Sequence, residues 1–312
     1  MNTISKRFIR LLCVRGRTTM SDAPIGIFDS GLGGLTVARE IAAALPHESL
    51  IYLGDTARCP YGPRTFDEVQ RYVREIGGYL QSRGVKLIVI ACNTATAAGL
   101  ELAQREFDVP VIGVIEPGAR AAVQVTRNRK IGVIGTIGTI ESGSYSDAVR
   151  ALDADCTVIS VATPEYVEDV EEGLTLEEGY HEEFLRRAIL SRGSRDGNYL
   201  DVLKRNGVDT LVLGCTHYPL LMQPLSTIMG EQVVLVSSAE ETAREVTALL
   251  ENEGGQDPIS YTFMTTSNPE RFAELGARVF GTSLGEVETI DIAALKKFGE
   301  AVDGKADGED TL

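Results

Sequence analysis

The sequence predicts an α/β protein built from two similar halves, each an open, mostly parallel sheet flanked by helices. Residues 84–92 and 207–215 carry this prediction, because each has Gly-Val, two variable positions, three branched aliphatic residues, a small residue and a cysteine. Such a run is typical of a strand buried on both faces. Residues 25–30 and 131–136 share a second pattern, which is apolar-Gly-apolar-apolar-x-hydroxyl. These two segments lie 106 positions apart, and the two aliphatic runs lie 123 positions apart. Two landmarks that recur in the same order indicate an internal duplication.

Length and composition agree with this fold class. The 312 residues suffice for two domains, and 43% hydrophobic residues with 32 glycines are ordinary values for an α/β protein. No apolar run approaches the ~20 residues that cross a membrane. The formal net charge of −15 argues against nucleic-acid binding, because phosphate contacts need a basic surface. We therefore expect neither a membrane nor a nucleic acid as a partner.

The number and spacing of the cysteines and histidines restrict the kinds of site that the protein can contain. The five cysteines are an odd number without CxxC spacing, and no secretory signal is recognisable. We therefore expect free thiols in a reducing compartment, which predicts a cytoplasmic protein. The three histidines are far apart and form no metal-binding motif, so we expect no metal site.

In chain order, the first half alternates predicted strands and helices after a basic, disordered extension over residues 1–22. The glycines of residues 29–34 are spaced wrongly for GxGxxG, so they predict a tight strand-to-helix turn that presents Asp29 and Ser30 beside backbone N–H groups. Thr65 and Glu68 predict a capping box. The predicted strands are 25–28, 50–53, 84–91 and 111–115, and the predicted helices are 35–45, 65–83 and 97–107.

The second half repeats this alternation. Residues 165–178 are acidic and are expected to form a solvated surface, and Pro219 suits the first turn of a helix. The predicted strands are 131–136, 156–161, 207–214, 233–236, 260–264 and 287–292, and the predicted helices are 144–152, 180–192, 198–206 and 268–280. The predicted division is an extension (1–22), a first domain (23–116 and 225–292), a second domain (117–224) and a frayed tail (293–312).

Two thiols stand where each aliphatic run ends. In an open α/β sheet, ligands bind at the carboxyl edge of the strands, which is where Cys92 and Cys215 lie. A helix N-terminus there lowers a thiol pKa and offers N–H groups to carboxylates. The loop 57–64 is rich in turn formers, and we expect a semi-exposed Tyr61 to cover a pocket; a purely structural turn is the alternative.

The pairing of these thiols restricts the reaction. A hydrolase has no use for a second cysteine facing the first, and a redox pair is expected in CxxC. Two opposed thiols suit removal of a proton from one face of a carbon and delivery to the other face. Interacting thiols titrate as a pair, so one can be thiolate while the other stays protonated. Two buried structural cysteines remain the alternative.

Five motifs then give a specific resemblance, which spans residues 24–292. In this order they resemble the motif series of bacterial glutamate racemases: residues 29–34, 54–56, 60–62, 91–94 and 214–219. The resemblance implies a cofactor-independent enzyme that interconverts L- and D-glutamate and supplies D-glutamate for peptidoglycan. It also implies two domains related by a pseudo-twofold axis, an active site in the cleft between them, and a homodimer.

The resemblance also implies roles for individual residues. Cys92 and Cys215 are the acid/base pair, assisted by Asp29 and His217 respectively, and Glu171 supports His217 although the residues before it depart from the family's apolar pattern. No arginine stands in the cysteine motifs, so recognition of the substrate carboxylates rests on neutral donors and backbone N–H groups. The implied substrate contacts are Asp29, Ser30, Tyr61, Gly62, Asn93, Thr94, Thr136, Thr139, Thr216 and His217.

Two alternatives stay open at this point. One is a related racemase that acts on aspartate or another acid. The other is an additional role as a protein-binding inhibitor of DNA gyrase, which some members of the resembled family have, with the basic residues 1–20 serving contact.

Overall fold

A computed structural model describes residues 22–173, 181–194, 197–250 and 259–306 of the chain. The predicted basic extension lies outside the described residues except for Asp22. Within the described ranges, no helix combines the length and the apolar character needed to cross a membrane.

The first half of the chain alternates strands with helices, as predicted. Its elements are β1 (Ile25–Asp29), α1 (Leu35–Ala44), β2 (Leu50–Gly54), α2 (Phe66–Ser82), β3 (Leu87–Ile90), α3 (Asn93–Glu106), β4 (Val111–Gly113) and α4 (Ile115–Val125). The predicted capping box at the start of α2 is confirmed. The Thr65 hydroxyl accepts the Glu68 N–H at 3.3 Å, and the Glu68 carboxylate accepts the Thr65 N–H at 3.1 Å.

The second half begins the same alternation again and then returns to the first sheet. Its strands are β5 (Lys130–Gly135), β6 (Thr157–Ala162), β7 (Gly193–Ser194), β8 (Gly197–Asn198), β9 (Thr210–Gly214), β10 (Val234–Ser237), β11 (Tyr261–Thr265) and β12 (Val287–Thr289). Its helices are α5 (Ile137–Glu141), α6 (Ser144–Leu152), α7 (Glu165–Gly173), α8 (His181–Ser191), α9 (Tyr199–Asn206), α10 (Met222–Met229), α11 (Ser238–Leu250), α12 (Pro269–Phe280) and α13 (Ile292–Ala306), with a 3₁₀ turn at Tyr218–Leu221.

Two parallel sheets form the frame of the molecule. The larger has the order β12-β11-β2-β1-β3-β4 and the smaller has the order β10-β9-β5-β6. In the larger sheet β1 lies between β2 and β3, and in the smaller sheet β5 lies between β6 and β9. The run β2-β1-β3-β4 therefore matches β6-β5-β9-β10 strand for strand. This confirms the predicted fold class of two similar α/β halves.

The aliphatic runs form interior strands of the two sheets and are buried on both faces, as predicted. In β3, Leu87 and Val89 pack into one apolar cluster with residues of α1, whereas Ile88 and Ile90 pack into a second cluster with residues of α2. Successive strand residues point to opposite faces, so helices must cover both sides of the sheet. Because helices cover both faces, such a sheet binds ligands at the carboxyl ends of its strands.

Three expectations need correction. The tail predicted to fray from residue 293 is helix α13 over the described part: Leu295 is fully buried, and the Phe298 ring lies edge-on to Tyr79 with centroids 5.6 Å apart. Apolar residues at helical spacing explain this despite the low overall apolar content. The acidic segment from residue 165 is half-buried, because α7 turns Tyr166 and Val170 inward. Strand β10 pairs with β9 in the smaller sheet, whereas the sequence-based division places residues 225–292 with the first domain.

Candidate active site

Strands β1, β3 and β9 end at one cavity between the two halves. Cys92 and Cys215 both line it, so the two thiols that end corresponding strands meet in one place. The other predicted residues that line it are Ser30, Tyr61, Gly62, Asn93, Thr94, Thr136, Thr216 and His217. Asp29, Thr139 and Glu171 do not line the cavity. Each contacts a lining side chain, namely Thr216, Thr94 and His217 respectively.

Cys92 closes the first side of the cavity. It is the N-cap residue of α3, is 6% exposed, and its Sγ lies 3.9 Å from the Ser30 hydroxyl. Burial raises the pKa of the Cys92 thiol, and the nearby Asp29 carboxylate raises it further, although the N–H of Ala95 acts in the opposite direction. The expected lowering of this pKa by the helix N-terminus is therefore outweighed by desolvation.

Cys215 lines the same cavity from the second half of the chain and has a different set of neighbours. Its Sγ lies 3.9 Å from Nδ1 of His217, whose Nε2 lies 3.2 Å from a carboxylate oxygen of Glu171. Burial lowers the pKa of His217, but hydrogen bonds with Cys215 and Glu171 outweigh it and raise this pKa to about 10. The hydrogen bond with His217 is the main reason why the pKa of Glu171 is lowered. The imidazole is therefore a cation at neutral pH, beside the second thiol.

Asp29 is held rigidly by the turn that follows β1. One carboxylate oxygen accepts the N–H groups of Gly31 and Gly34, each at 3.0 Å. The other oxygen accepts the Thr216 hydroxyl at 3.4 Å, which links the first half to the second. The tight turn predicted at residues 29–34 serves this purpose, because an added Cβ at Gly34 would lie 2.4 Å from Cβ of Asp29.

A cluster of threonine hydroxyls joins the two halves on another side. Thr94, at the start of α3, lies 2.8 Å from the Thr136 hydroxyl and 3.3 Å from the Thr139 hydroxyl, both at the start of α5. The Gly138 N–H donates to the Gly62 carbonyl at 3.1 Å. Hydroxyls both donate and accept, so this cluster can rearrange around an anionic ligand.

Tyr61 is more deeply placed than its sequence context indicates. It is 1% exposed, so the predicted semi-exposed position is wrong, although it does line the cavity. Its hydroxyl donates to the Asp55 carboxylate, which also accepts Nε of Arg58 at 2.6 Å, and Arg58 in turn contacts Glu75. Burial raises the pKa of Tyr61, and Asp55 raises it further, which keeps the phenol neutral.

Three lining residues were not predicted as site residues, namely Cys59, Pro60 and Val167. Cys59 and Pro60 belong to the loop whose turn formers the sequence does reveal. Val167 lies on α7, and nothing in its local pattern separates it from an ordinary core valine.

The arrangement provides two acid/base groups in one enclosed space together with neutral hydrogen-bond donors. Among the described lining residues there is no lysine or arginine, and His217 supplies the cation. Such a site can exchange a proton between two faces of a small anionic molecule.

Residues 33–246 match the family model described as Asp/Glu/Hydantoin racemase. Glutamate racemase of Corynebacterium glutamicum is 50% identical over 273 residues, covering 86% of this chain and 95% of that protein. The crystal structure of glutamate racemase isoform RacE1 from Bacillus anthracis has a TM-score of 0.78 at 42% identity, covering 87% of this chain and 98% of that one. Glutamate racemase from Francisella tularensis, solved in complex with D-glutamate, has a TM-score of 0.75 at 29% identity, covering 87% and 98% respectively.

Proposed function

The chain belongs to the Asp/Glu/hydantoin racemase family, and from this premise we propose that it interconverts L- and D-glutamate without a cofactor, through Cys92 and Cys215. The family resemblance of the sequence motifs is thereby confirmed. Curated relatives near 50% identity are glutamate racemases, which supports glutamate as the substrate. D-Glutamate formed in this way serves peptidoglycan synthesis.

One observation carries the proposal: both thiols line a single cavity from opposite halves of the molecule. In the proposed reaction, the thiolate of one cysteine takes the α-proton, so that a C–H bond breaks and an S–H bond forms. The thiol of the other cysteine then gives its proton to the opposite face of the carbon. No atom is oxidised or reduced, and the two cysteines end with their protonation states exchanged. The reverse direction uses the same residues in exchanged roles.

The groups behind each thiol fit the roles that the resemblance implies. His217 and Glu171 form a chain that ends at Cys215, and a protonated imidazole there can stabilise negative charge. Asp29 is buried near Cys92 and is fixed by two backbone N–H groups, so its carboxylate can help orient groups on the Cys92 side. We assign these two sets to opposite faces of the α-carbon.

Substitution of single thiols tests the mechanism. Cys92→Ser and Cys215→Ser are each expected to lower racemisation, followed by circular dichroism of glutamate, by about 10²–10⁴-fold, the usual contribution of an acid/base residue. Cys156→Ser is the matched control, because Cys156 is a partly exposed free thiol that does not line the cavity. Full activity in either cavity variant would refute the two-thiol scheme. In D₂O, retention of the α-proton during turnover would refute it as well.

A substrate panel tests the assignment to glutamate. Aspartate is one methylene shorter, and such a difference is worth about 1–3 kcal/mol in a fitted pocket. We expect a higher kcat/KM for glutamate than for aspartate. Faster turnover of aspartate would refute the substrate while leaving the two-thiol mechanism in place.

We further propose a cytoplasmic homodimer. The four described cysteines Cys59, Cys92, Cys156 and Cys215 are free thiols, which supports a reducing compartment. The dimer rests on the family resemblance alone. Cell fractionation and light scattering on the purified protein test the two points separately, and a periplasmic or monomeric protein would contradict them.

A further inference from the structure

Asn93 presents a donor that no described residue satisfies. It lies at the start of α3 beside Cys92, lines the cavity, and is 2% exposed. Its Nδ2 is a buried atom without a hydrogen-bond partner among the described residues. An unpaired buried donor destabilises a protein, so one that lines a binding cavity points to an acceptor on the ligand.

The other end of the same amide is engaged from the opposite half of the molecule. Tyr145, on α6, is 2% exposed, and its hydroxyl donates to Oδ1 of Asn93 at 2.8 Å. A reversed amide would turn Oδ1 toward the cavity, where it would repel a carboxylate. The orientation of Asn93 therefore decides whether this position attracts or repels an anionic substrate.

The hydroxyl of Tyr145 is itself constrained. Ser238, at the start of α11, hydrogen-bonds to the Tyr145 hydroxyl, which leaves the phenol proton free to point at Asn93. Burial raises the pKa of Tyr145, so the phenol remains a donor throughout the neutral range. Ser238 is also 2% exposed, so the Tyr145 hydroxyl is shielded from water together with both of its partners.

We propose that Tyr145 is a positioning residue that fixes the Asn93 amide with Nδ2 toward the cavity, where Nδ2 donates to a carboxylate oxygen of the substrate. The proposal rests on the proposed function, because it presumes an amino-acid substrate with carboxylates. It explains how a cavity without a described lysine or arginine in its lining recognises a substrate with two carboxylates through a directed neutral donor.

Tyr145→Phe is the direct test, because it keeps the ring that packs near Gly118 and Gly214 and removes only the hydroxyl. Without that hydroxyl the amide samples both orientations, and apparent affinity falls in proportion to the competent fraction. We expect KM for both glutamate enantiomers to rise about three- to tenfold, with kcat changed less than about twofold.

Two further variants separate positioning from packing. Tyr166→Phe is the matched control, since Tyr166 is a fully buried tyrosine of the same half whose hydroxyl has no partner among the described residues. It should leave KM unchanged. In an Asn93→Ala background, the effect of Tyr145→Phe should disappear, because the group that it orients is gone.

The outcomes are distinct. A wild-type KM in active Tyr145→Phe enzyme overturns the inference and leaves the proposed function intact. A rise in KM that persists undiminished in the Asn93→Ala background also overturns it, because Tyr145 would then act through packing. Wild-type racemisation of glutamate is measured in the same assay, and its absence would instead refute the proposed function.

Discussion

Replacing Arg192 by methionine is expected to destabilise the protein and to slow the reaction by loosening the helix that carries Glu171. On α7, the Asp169 side chain is 3% exposed and accepts Nη2 of Arg192 at 2.6 Å and Nε at 3.1 Å. Arg192 directly follows α8, so this pair fastens α7 to α8 two residues before Glu171. Glu171 in turn holds His217 beside Cys215.

The size of the effect follows from the burial of the two partners. Removing one member of a buried ion pair costs about 3–5 kcal/mol, because the other charge stays desolvated. The Arg192 side chain is 39% exposed, so water screens the pair and we discount the cost to about 2 kcal/mol. For a chain of this length that corresponds to a loss of about 4 °C in Tm. A looser Glu171 should lower kcat about three- to tenfold, as a small misplacement of a catalytic group does.

Thermal unfolding and racemisation assays on two variants decide the matter. Asp169→Leu combined with Arg192→Met removes both charges, and this double variant should recover most of the lost stability, since no unpaired charge remains. A single Arg192→Met variant with wild-type Tm would refute the reasoning. A double variant as unstable as the single one would refute it too, because the cost would then come from lost packing around Arg192.

Three further predictions concern other parts of the molecule. Protonated His217 contributes its full stability below its unfolded pKa of about 6.5, and this stability is lost as pH rises through its folded pKa of about 10. The Tm difference between wild type and His217→Asn should therefore shrink between these two pH values. A constant difference would contradict this. Gly33→Ala places a Cβ 2.5 Å from Nδ1 of His217 and should lower kcat about 10²-fold with unfolding still cooperative, whereas retained activity would show that the imidazole can move. Lys86→Met removes the Nζ that lies 2.7 Å from the buried Glu48 carboxylate. The free energy of unfolding in urea should fall by about 3–5 kcal/mol, and KM should be unchanged. An unshifted urea midpoint would argue against a contribution of this ion pair to stability.

The sequence revealed those features that local patterns impose. A strand buried on both faces must be aliphatic throughout, so β3 and β9 are recognisable from composition alone, and the cysteines that follow them are placed by chain order. Parallel strands end at one edge, and this places Cys92 and Cys215 at the cavity without any knowledge of tertiary contacts. The capping box at Thr65 is likewise a contact between near neighbours in the chain.

Contacts between residues that are far apart in the sequence could not be predicted from the sequence. Tyr61 was expected to be semi-exposed because its loop is rich in turn formers, yet its hydroxyl is buried against Asp55. The Tyr145 hydroxyl meets Asn93 across 52 positions of sequence, and Asp169 meets Arg192 across 23. A tyrosine or an aspartate has the same local pattern whether or not such a partner exists, so only the tertiary structure identifies these contacts.

The matching strands of the two halves place one sulfur in each half, whereas the surroundings of the two sulfurs differ. A thiol ends each of two corresponding strands, but α3 begins at once after Cys92, whereas a 3₁₀ turn follows Cys215 and carries His217 toward Glu171. Moving a proton between two faces of a carbon needs only a donor and an acceptor that can exchange roles, which a duplicated fold provides. The remaining substituents of an amino acid have no such symmetry, because an ammonium group and two carboxylates require different neighbours. A buried carboxylate near Cys92 and a cation near Cys215 are therefore what a symmetric fold needs in order to bind an asymmetric substrate.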